Sequence, residues 1–238
     1  MDDFTNIRAL TFDVFGTVVD WRSSIAREAE AMLAPKGVSL DWGAFADAWR
    51  GQYQPMMATV REGKRDYVVM DQLHREMLDV ALAAHDMSQL DETEKHRLTM
   101  GWRRLDPWPD AVEGMTRLKA GRAVVALSNG NIALVLSMAK RAGIPWDTIL
   151  GSELVRTYKP DAAIYDSAPR FLDLAPQQIM MVACHPWDLD AAKSRGLRTA
   201  YVHRPLEWGS GTERVLPEAG TYDVIVGSFV ELAEVLGA

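Results

Sequence analysis

Apolar and polar positions divide the chain into two regimes joined by a single strand. Apolar residues climb from Leu10 through Phe12 to Asp13, and Gly16 and Thr17 follow at once. A short apolar run bounded by turn chemistry predicts a buried parallel strand that leaves its sheet at the carboxyl end. From there to about residue 105 the period becomes helical. A helix capped by Ser23 or Ser24 is expected through Ile25, Ala29 and Met32 to the break at Pro35-Lys36-Gly37. A second begins after Asp41 and carries Phe45, Trp49, Tyr53 and Met56 at three- and four-residue spacing. Arg50 lies beside that stripe, and Pro55 is expected to kink or end the helix. Tyr67 to Ala84 reads as a third helix, and the more polar Asp91 to Leu105 as a fourth.

Asp106-Pro107-Trp108-Pro109 stops the helical run, and strands and helices alternate afterwards. Strands are expected at 123–127, near Ile149, and at 179–183, 199–202 and 224–226. Helices are expected at 112–120, 132–142 and 162–172, with one more running to Arg195 and a last one at the end. Residues 203–222 form the longest loop-like stretch, rich in Pro, Gly and Glu. This alternation predicts an α/β fold, a parallel sheet with helices on both faces. Residues 1–18 and 106–238 would form that core, with residues 19–105 inserted as a helical subdomain.

Composition narrows the function. A chain of 238 residues suits one large domain or a core with an insert. A formal net charge of −7 argues against a nucleic-acid partner but not against a small anionic substrate, because a local site can be positive on an acidic surface. No apolar run approaches the length of a membrane span, and Met1-Asp2-Asp3-Phe4 lacks the pattern of a secretory signal. One cysteine, Cys184, gives no internal disulfide. A cytoplasmic protein without a membrane partner is expected.

Three of the expected core strands end in polar groups: Asp13, then Ser128-Asn129, then His185 with Asp188. Lys159 heads another helix. Each alone reads as a cap or a surface residue. Parallel strands, however, bring their carboxyl ends to one edge of the sheet, where ligands bind in open α/β folds. Two carboxylates, a hydroxyl, an amide and an ammonium would therefore converge on one site. Gly16 permits a tight turn that points the amides after Asp13 at an anion.

The ordered motifs Asp13-Val14-Phe15-Gly16-Thr17, Ser128-Asn129-Gly130, Lys159-Pro160 and Trp187-Asp188 resemble those of the haloacid dehalogenase superfamily over nearly the whole chain. The resemblance implies a Rossmann-like core, a mostly helical cap inserted after the first strand, and a site between them. Phosphatases of that superfamily use an Asp-x-Asp motif, whose second acid protonates the leaving alkoxide, and paired acids that hold Mg²⁺. Here Phe15 replaces the acid of the first motif, and Cys184 replaces one of the pair, leaving Asp188. The pattern is instead similar to the L-2-haloacid dehalogenases of type II, which use neither metal nor other cofactor.

That resemblance implies Asp13 as nucleophile and Thr17 as the first-motif threonine. It implies Arg50 as the cap arginine that meets the departing halide, with Ser128 and Asn129 at the substrate-carboxylate and halide-pocket positions. Lys159 and Tyr165 match the third motif, and Trp187-Asp188 the fourth. Val14, Phe15 and Trp187 would join Arg50, Ser128 and Asn129 around the substrate. His185 stands where better-known members carry Asn, and Ala183-Cys184 where they carry a Ser pair. His185 is expected to help activate water as a neutral imidazole, to hydrogen-bond a small hard halide such as fluoride as an imidazolium, or to pack against Trp187, and Cys184 to be an inert thiol. The implied reaction converts short (S)-2-haloalkanoic acids or haloacetates to 2-hydroxy acids and halide, through an aspartyl ester with inversion, in a homodimer. A phosphatase acting on a small metabolite, and a silent protein of the same fold, are the alternatives. His74, His85, His96 and His203 are scattered without a second ligand and predict no zinc site.

Overall fold

The computed structural model describes residues 4–85, 87, 89–212 and 214–238. The chain opens with β1 (Ala9–Phe12), β2 (Val19–Asp20), α1 (Trp21–Leu33), α2 (Trp42–Gly51), α3 (Tyr53–Arg61), α4 (Met70–Ala84) and α5 (Glu92–Thr99). It continues with β3 (Asp106–Pro107), α6 (Ala111–Lys119), β4 (Ala123–Ser128), α7 (Ile132–Ala142), β5 (Thr148–Gly151) and α8 (Ala162–Leu172). Then come β6 (Ile179–Ala183), α9 (Pro186–Ser194), β7 (Arg198–Val202), β8 (Val224–Val226) and α10 (Phe229–Val235).

Six strands form a parallel sheet in the order β5-β4-β1-β6-β7-β8. Alternate residues of the central strands enter two separate cores, as the two-residue period of a strand requires. Leu10, Phe12, Val124, Ala126, Met180 and Val182 pack on one face. Ala9, Val125, Leu127, Ile179, Met181 and Ala183 pack on the other. A sheet buried on both faces accounts for strands that read as unbroken apolar runs.

The strand order places the site. From β1 the chain steps outward through β4 and β5, then returns to the opposite side of β1 to lay down β6, β7 and β8. The loops after β4 and β6 therefore diverge, and the crevice between them lies over the end of β1. Phe12 is level with Ala126 and Val182, so Asp13 is the first residue beyond that edge, its N–H donating to Val182 O at 3.0 Å.

The helical insert departs from the expected boundaries in four places, each for a local reason. Asp20, not Ser23 or Ser24, caps α1 by accepting from Ser23 N at 3.0 Å. Ser24 Oγ instead accepts from Asp106 N at 2.9 Å, tying the outgoing chain to the returning one where β2 and β3 pair antiparallel. The second helix breaks at Gln52, ahead of Pro55, which falls in the first turn of α3 where a missing N–H leaves no bond unmade. The third begins at Met70, because Tyr67 is held outside it by Tyr158, with ring centroids 5.4 Å apart, and by Ser152 Oγ at 2.9 Å. The fourth ends at Thr99 and tightens into a 3₁₀ turn over Met100–Arg103. That turn delivers Trp102 between Trp21 and Trp49, at 6.4 and 5.6 Å.

Candidate active site

Asp13 sits in the crevice with its side chain 10% exposed. Its two oxygens are treated differently. Oδ2 accepts from Thr17 Oγ1 at 2.8 Å and lies 3.0 Å from His185 Nδ1. Oδ1 faces Lys159 Nζ at 3.2 Å. Thr17 is fixed in turn by accepting from Cys184 N at 3.0 Å, so the loop after β1 and the end of β6 are stitched together at the site.

Lys159 is completely buried. Its second partner is Asp188 Oδ2 at 2.6 Å, and Asp188 Oδ1 accepts from Tyr165 Oη at 2.6 Å. The loop that carries Lys159 is anchored at both backbone atoms. Its N–H donates to Asn129 Oδ1 at 2.7 Å, and its carbonyl accepts from Arg61 Nη1 at 3.0 Å. Asn129 thus serves the site first by holding Lys159.

Burial works against every one of these charges, and their mutual attraction overcomes it. Burial alone would raise the Asp13 carboxyl; Lys159, His185 and Thr17 hold it well below the ordinary carboxylate range. Burial alone would lower the Lys159 ammonium, but Asp188 and Asp13 push it above its usual value. Asp188 moves the other way from Asp13. Burial raises it, Asp13 adds like-charge repulsion, and Lys159 does not fully compensate. Two carboxylates pushed apart in acidity suit a nucleophile and a proton acceptor.

Arg50, in the last turn of α2, reaches an aromatic wall. Its guanidinium carbon is 3.6 Å from the Tyr53 ring centroid, 5.5 Å from Trp21 and 5.7 Å from Phe15. Its Nη1 is buried and has no hydrogen-bond partner among the described residues. Phe15 stands edge-on to Tyr53, His74 and Trp102. His74 stacks on Trp102 at 4.1 Å, and burial, with Arg50 nearby, holds it well below the usual histidine pKa. A neutral imidazole in the wall was invisible in the helical pattern of α4.

The other expected site residues fall nearby. Ser128 is buried and its Oγ accepts from Gly130 N at 2.9 Å. Val14 packs its side chain in the core, leaving only its backbone for a ligand. Trp187 is 37% exposed and, with Gln54, Arg61 and Pro160, lines a cavity of about 310 Å³ beside the Lys159 loop.

His185 stacks on Trp187 at 5.6 Å, as a packed ring would, and also meets Asp13. Its role as a water activator does not fit. Nδ1 faces Asp13 Oδ2 and Nε2 faces Glu207 Oε1 at 2.9 Å, so neither ring nitrogen is turned to solvent. Glu207 was not foreseen. It comes from the long loop after β7, is 1% exposed, and also receives Arg214 Nη2 at 2.8 Å and Trp21 Nε1 at 3.3 Å. The turn after Asp13 is shaped around it. Gly16 has φ +91°, and a Cβ there would lie 2.2 Å from Glu207 Oε1. Arg204, from the same loop, donates to Thr17 O at 3.0 Å and forks onto Asp110 at 2.8 and 3.0 Å.

Mg²⁺ requires hard oxygen ligands in an octahedron. The residues here do not supply them: Phe15 and Cys184 stand at acid positions, and an ammonium lies 2.6 Å from Asp188. Cys184, His185 and Glu207 place donor atoms within 4.8 Å of one another. Those atoms are already engaged with each other, and burial raises the Cys184 thiol, keeping it protonated.

Comparison with known proteins gives one consistent pattern. A family model described as haloacid dehalogenase-like hydrolase matches residues 7–196. The chain is 31% identical over 202 residues to (S)-2-haloacid dehalogenase 4A of Burkholderia cepacia, covering 84% of each protein. Among solved structures it is similar to the defluorinating L-2-haloacid dehalogenase Rha0230, at 43% identity with a TM-score of 0.94, over 98% of this chain and 96% of that one. It is also similar to the L-2-haloacid dehalogenase PA0810, at 45% identity and a TM-score of 0.92, over 97% and 99%.

Proposed function

Because the chain belongs to the haloacid dehalogenase-like hydrolase family, we propose that it hydrolyses the carbon–halogen bond of short (S)-2-haloalkanoic acids or haloacetates without a metal. The likeness to a defluorinating relative brings fluoroacetate into the same substrate class. The observation that carries the reading is the pairing of an ionised, buried Asp13 with a buried Arg50 Nη1 that lacks a partner in an aromatic wall. A guanidinium amid aromatic rings suits a small monatomic anion leaving an apolar pocket.

The residues divide the reaction between them. Asp13 Oδ1 attacks the halogen-bearing carbon, an ester forms, and the halide departs with the bonding pair toward Arg50 and Asn129. Ser128 and the amides of Val14 and Phe15 hold the substrate carboxylate, which fixes the line of attack. Attack opposite the halide inverts the carbon. Water then adds to Cγ of Asp13 and passes its proton to Asp188. Collapse expels the product oxygen, which takes the proton left on the new Asp13 carboxyl group, so the hydroxy acid departs, the Asp13 carboxylate is restored, and Asp188 then gives up its proton. Residues 19–105 act as a cap that supplies Arg50, and Tyr165 and Lys159 keep Asp188 and Asp13 in place.

Heavy-oxygen water tests the ester. With enzyme in excess over 2-chloropropionate, the first turnover is expected to release unlabelled lactate and to leave label in the peptide containing Asp13. Label in the first product with none in Asp13 would mean that water displaces the halide directly. Activity that collapses on chelation and returns with Mg²⁺ would favour phosphatase-type chemistry instead.

A further inference from the structure

We propose that the His185 imidazolium and the Thr17 hydroxyl form the oxyanion hole for hydrolysis of the Asp13 ester, and that Glu207 is the positioning residue that keeps His185 in that form. The inference rests on the ester reaction proposed above and assigns a role to a loop carboxylate that the reaction as described leaves unused.

The asymmetry of Asp13 is the starting point. Oδ2 has donors at 2.8 and 3.0 Å, whereas Oδ1 has one at 3.2 Å. Oδ1 is the freer oxygen and becomes the ester oxygen; Oδ2 becomes the carbonyl oxygen. When water adds to Cγ, the carbonyl π pair moves onto Oδ2. Two donors already stand at the distance an oxyanion requires.

The proton on Nδ1 is fixed by what faces the rest of the ring. A carboxylate only accepts, and each ring nitrogen of His185 faces one: Asp13 Oδ2 at 3.0 Å and Glu207 Oε1 at 2.9 Å. Both nitrogens must therefore carry hydrogen. The titratable and charged groups around the ring are Asp13, Cys184, Glu207 and Tyr201, with Arg214 behind Glu207. Burial lowers the histidine pKa, but Cys184, Glu207 and Asp13 together carry it well above its usual value. Glu207 stays ionised despite burial because His185, Arg214 and Arg50 lower its pKa. Lys159 reaches His185 only through Asp13.

Glu207 matters most once the ester has formed. Esterification removes the charge of Asp13, and Glu207 is then the carboxylate left in contact with the ring. Without it the imidazolium would lose its proton at the stage where Nδ1–H is needed. An imidazolium has no lone pair, so His185 does not take the proton of water; Asp188 does.

Three measurements test this on the intact enzyme with 2-chloropropionate. Rapid quench of His185→Phe, which keeps an aromatic ring beside Trp187 but has no donor, is expected to slow ester hydrolysis far more than first-turnover halide release. Ester hydrolysis should then fall by on the order of 10²-fold, the loss typical of one oxyanion donor, with the ester accumulating on the Asp13 peptide. In Glu207→Gln the hydrolysis rate should fall as pH rises through a lowered histidine pKa and recover on acidification, which a merely structural defect would not do. Nitrogen NMR of the labelled parent should show both His185 nitrogens protonated at neutral pH. The proposal is overturned by variants that slow halide release but not ester hydrolysis, by a pH-independent loss in Glu207→Gln, or by a neutral His185 in the parent. A parent enzyme that releases no halide overturns the dehalogenase reading itself, and the proposal with it.

Discussion

Replacing Lys159 with Met removes the cation from between two buried carboxylates and keeps a side chain of similar length. The ammonium lies 3.2 Å from Asp13 Oδ1. At an effective dielectric of about 20, unit charges at that distance attract by about 5 kcal/mol. Lost in full, that attraction corresponds to about four pKa units, enough to carry Asp13 from well below the ordinary carboxylate range into it. The sign follows from the charge state. Lys159 favours the carboxylate, so its loss favours the acid, and the nucleophile is then protonated over part of the working range. Single-turnover halide release should be followed from about pH 4 to about pH 9, which brackets carboxylate and histidine titration. The parent rate should be level on the acid side, because Asp13 is held well below the ordinary carboxylate range. In Lys159→Met the acid limb should move upward into this range, with recovery towards alkaline pH. Circular dichroism separates this from unfolding. A lower plateau with an unmoved acid limb would refute the idea that Lys159 sets the ionisation of Asp13.

Three further outcomes follow from the same geometry. Arg50→Ala should slow halide release in the first turnover by on the order of 10²-fold, because the leaving anion loses its buried donor, whereas hydrolysis of the ester should be nearly unaffected. Gly16→Ala combines a residue at φ +91° with a Cβ 2.2 Å from Glu207 Oε1. It should cost at least about 1–2 kcal/mol in denaturant unfolding and mimic the pH dependence of Glu207→Gln; a neutral substitution would show that Glu207 is not seated on this turn. Asp13 has a depressed folded pKa, so its stabilising contribution is present above the unfolded value and lost as pH falls through the folded one. Asp13→Asn should therefore flatten the fall in melting temperature below about pH 4; an equally steep fall would place the acid sensitivity elsewhere.

The residues legible in the sequence share one property: each follows a strand or heads a helix in a region of strong periodicity. Asp13, Ser128, Asn129 and Asp188 could be placed because parallel strands end on one side, and the structure brings them to one crevice with Lys159 and Tyr165. Glu207 and Arg204 could not. They lie in 203–222, where no period relates a residue to a neighbour, and a buried carboxylate in a loop reads like any solvated one. Their partners, His185, Trp21, Thr17 and Asp110, are brought there only by tertiary packing. Gly16 was the one trace of Glu207 in the chain. Its turn was readable, but not the group for which the turn makes room. His74 reads in sequence as a helical residue without a ligand partner, and the rings it meets, Phe15, Tyr53 and Trp102, each come from a different segment.

The charges around Asp13 explain why one scaffold can favour displacement of halide over phosphoryl transfer. Lys159 bridges Asp13 and Asp188 from inside the protein, at 3.2 and 2.6 Å. His185 and Arg214 pair with Glu207. Arg50 stands over the Tyr53 ring, and its buried Nη1 has no hydrogen-bond partner among the described residues. A phosphate dianion placed at Asp13 would meet a carboxylate with its cations already committed, and Phe15 offers no proton to a leaving alkoxide. A haloacid brings one negative charge and leaves another behind as halide, which a single uncommitted guanidinium can balance at each stage. The same reasoning fixes where specificity for the halide should reside. The group that meets the leaving anion is set by Tyr53, Trp21 and Phe15 around Arg50, not by the Asp13–Lys159–Asp188 array, so substitutions in that wall should change halide preference while leaving the pH dependence of ester formation in place.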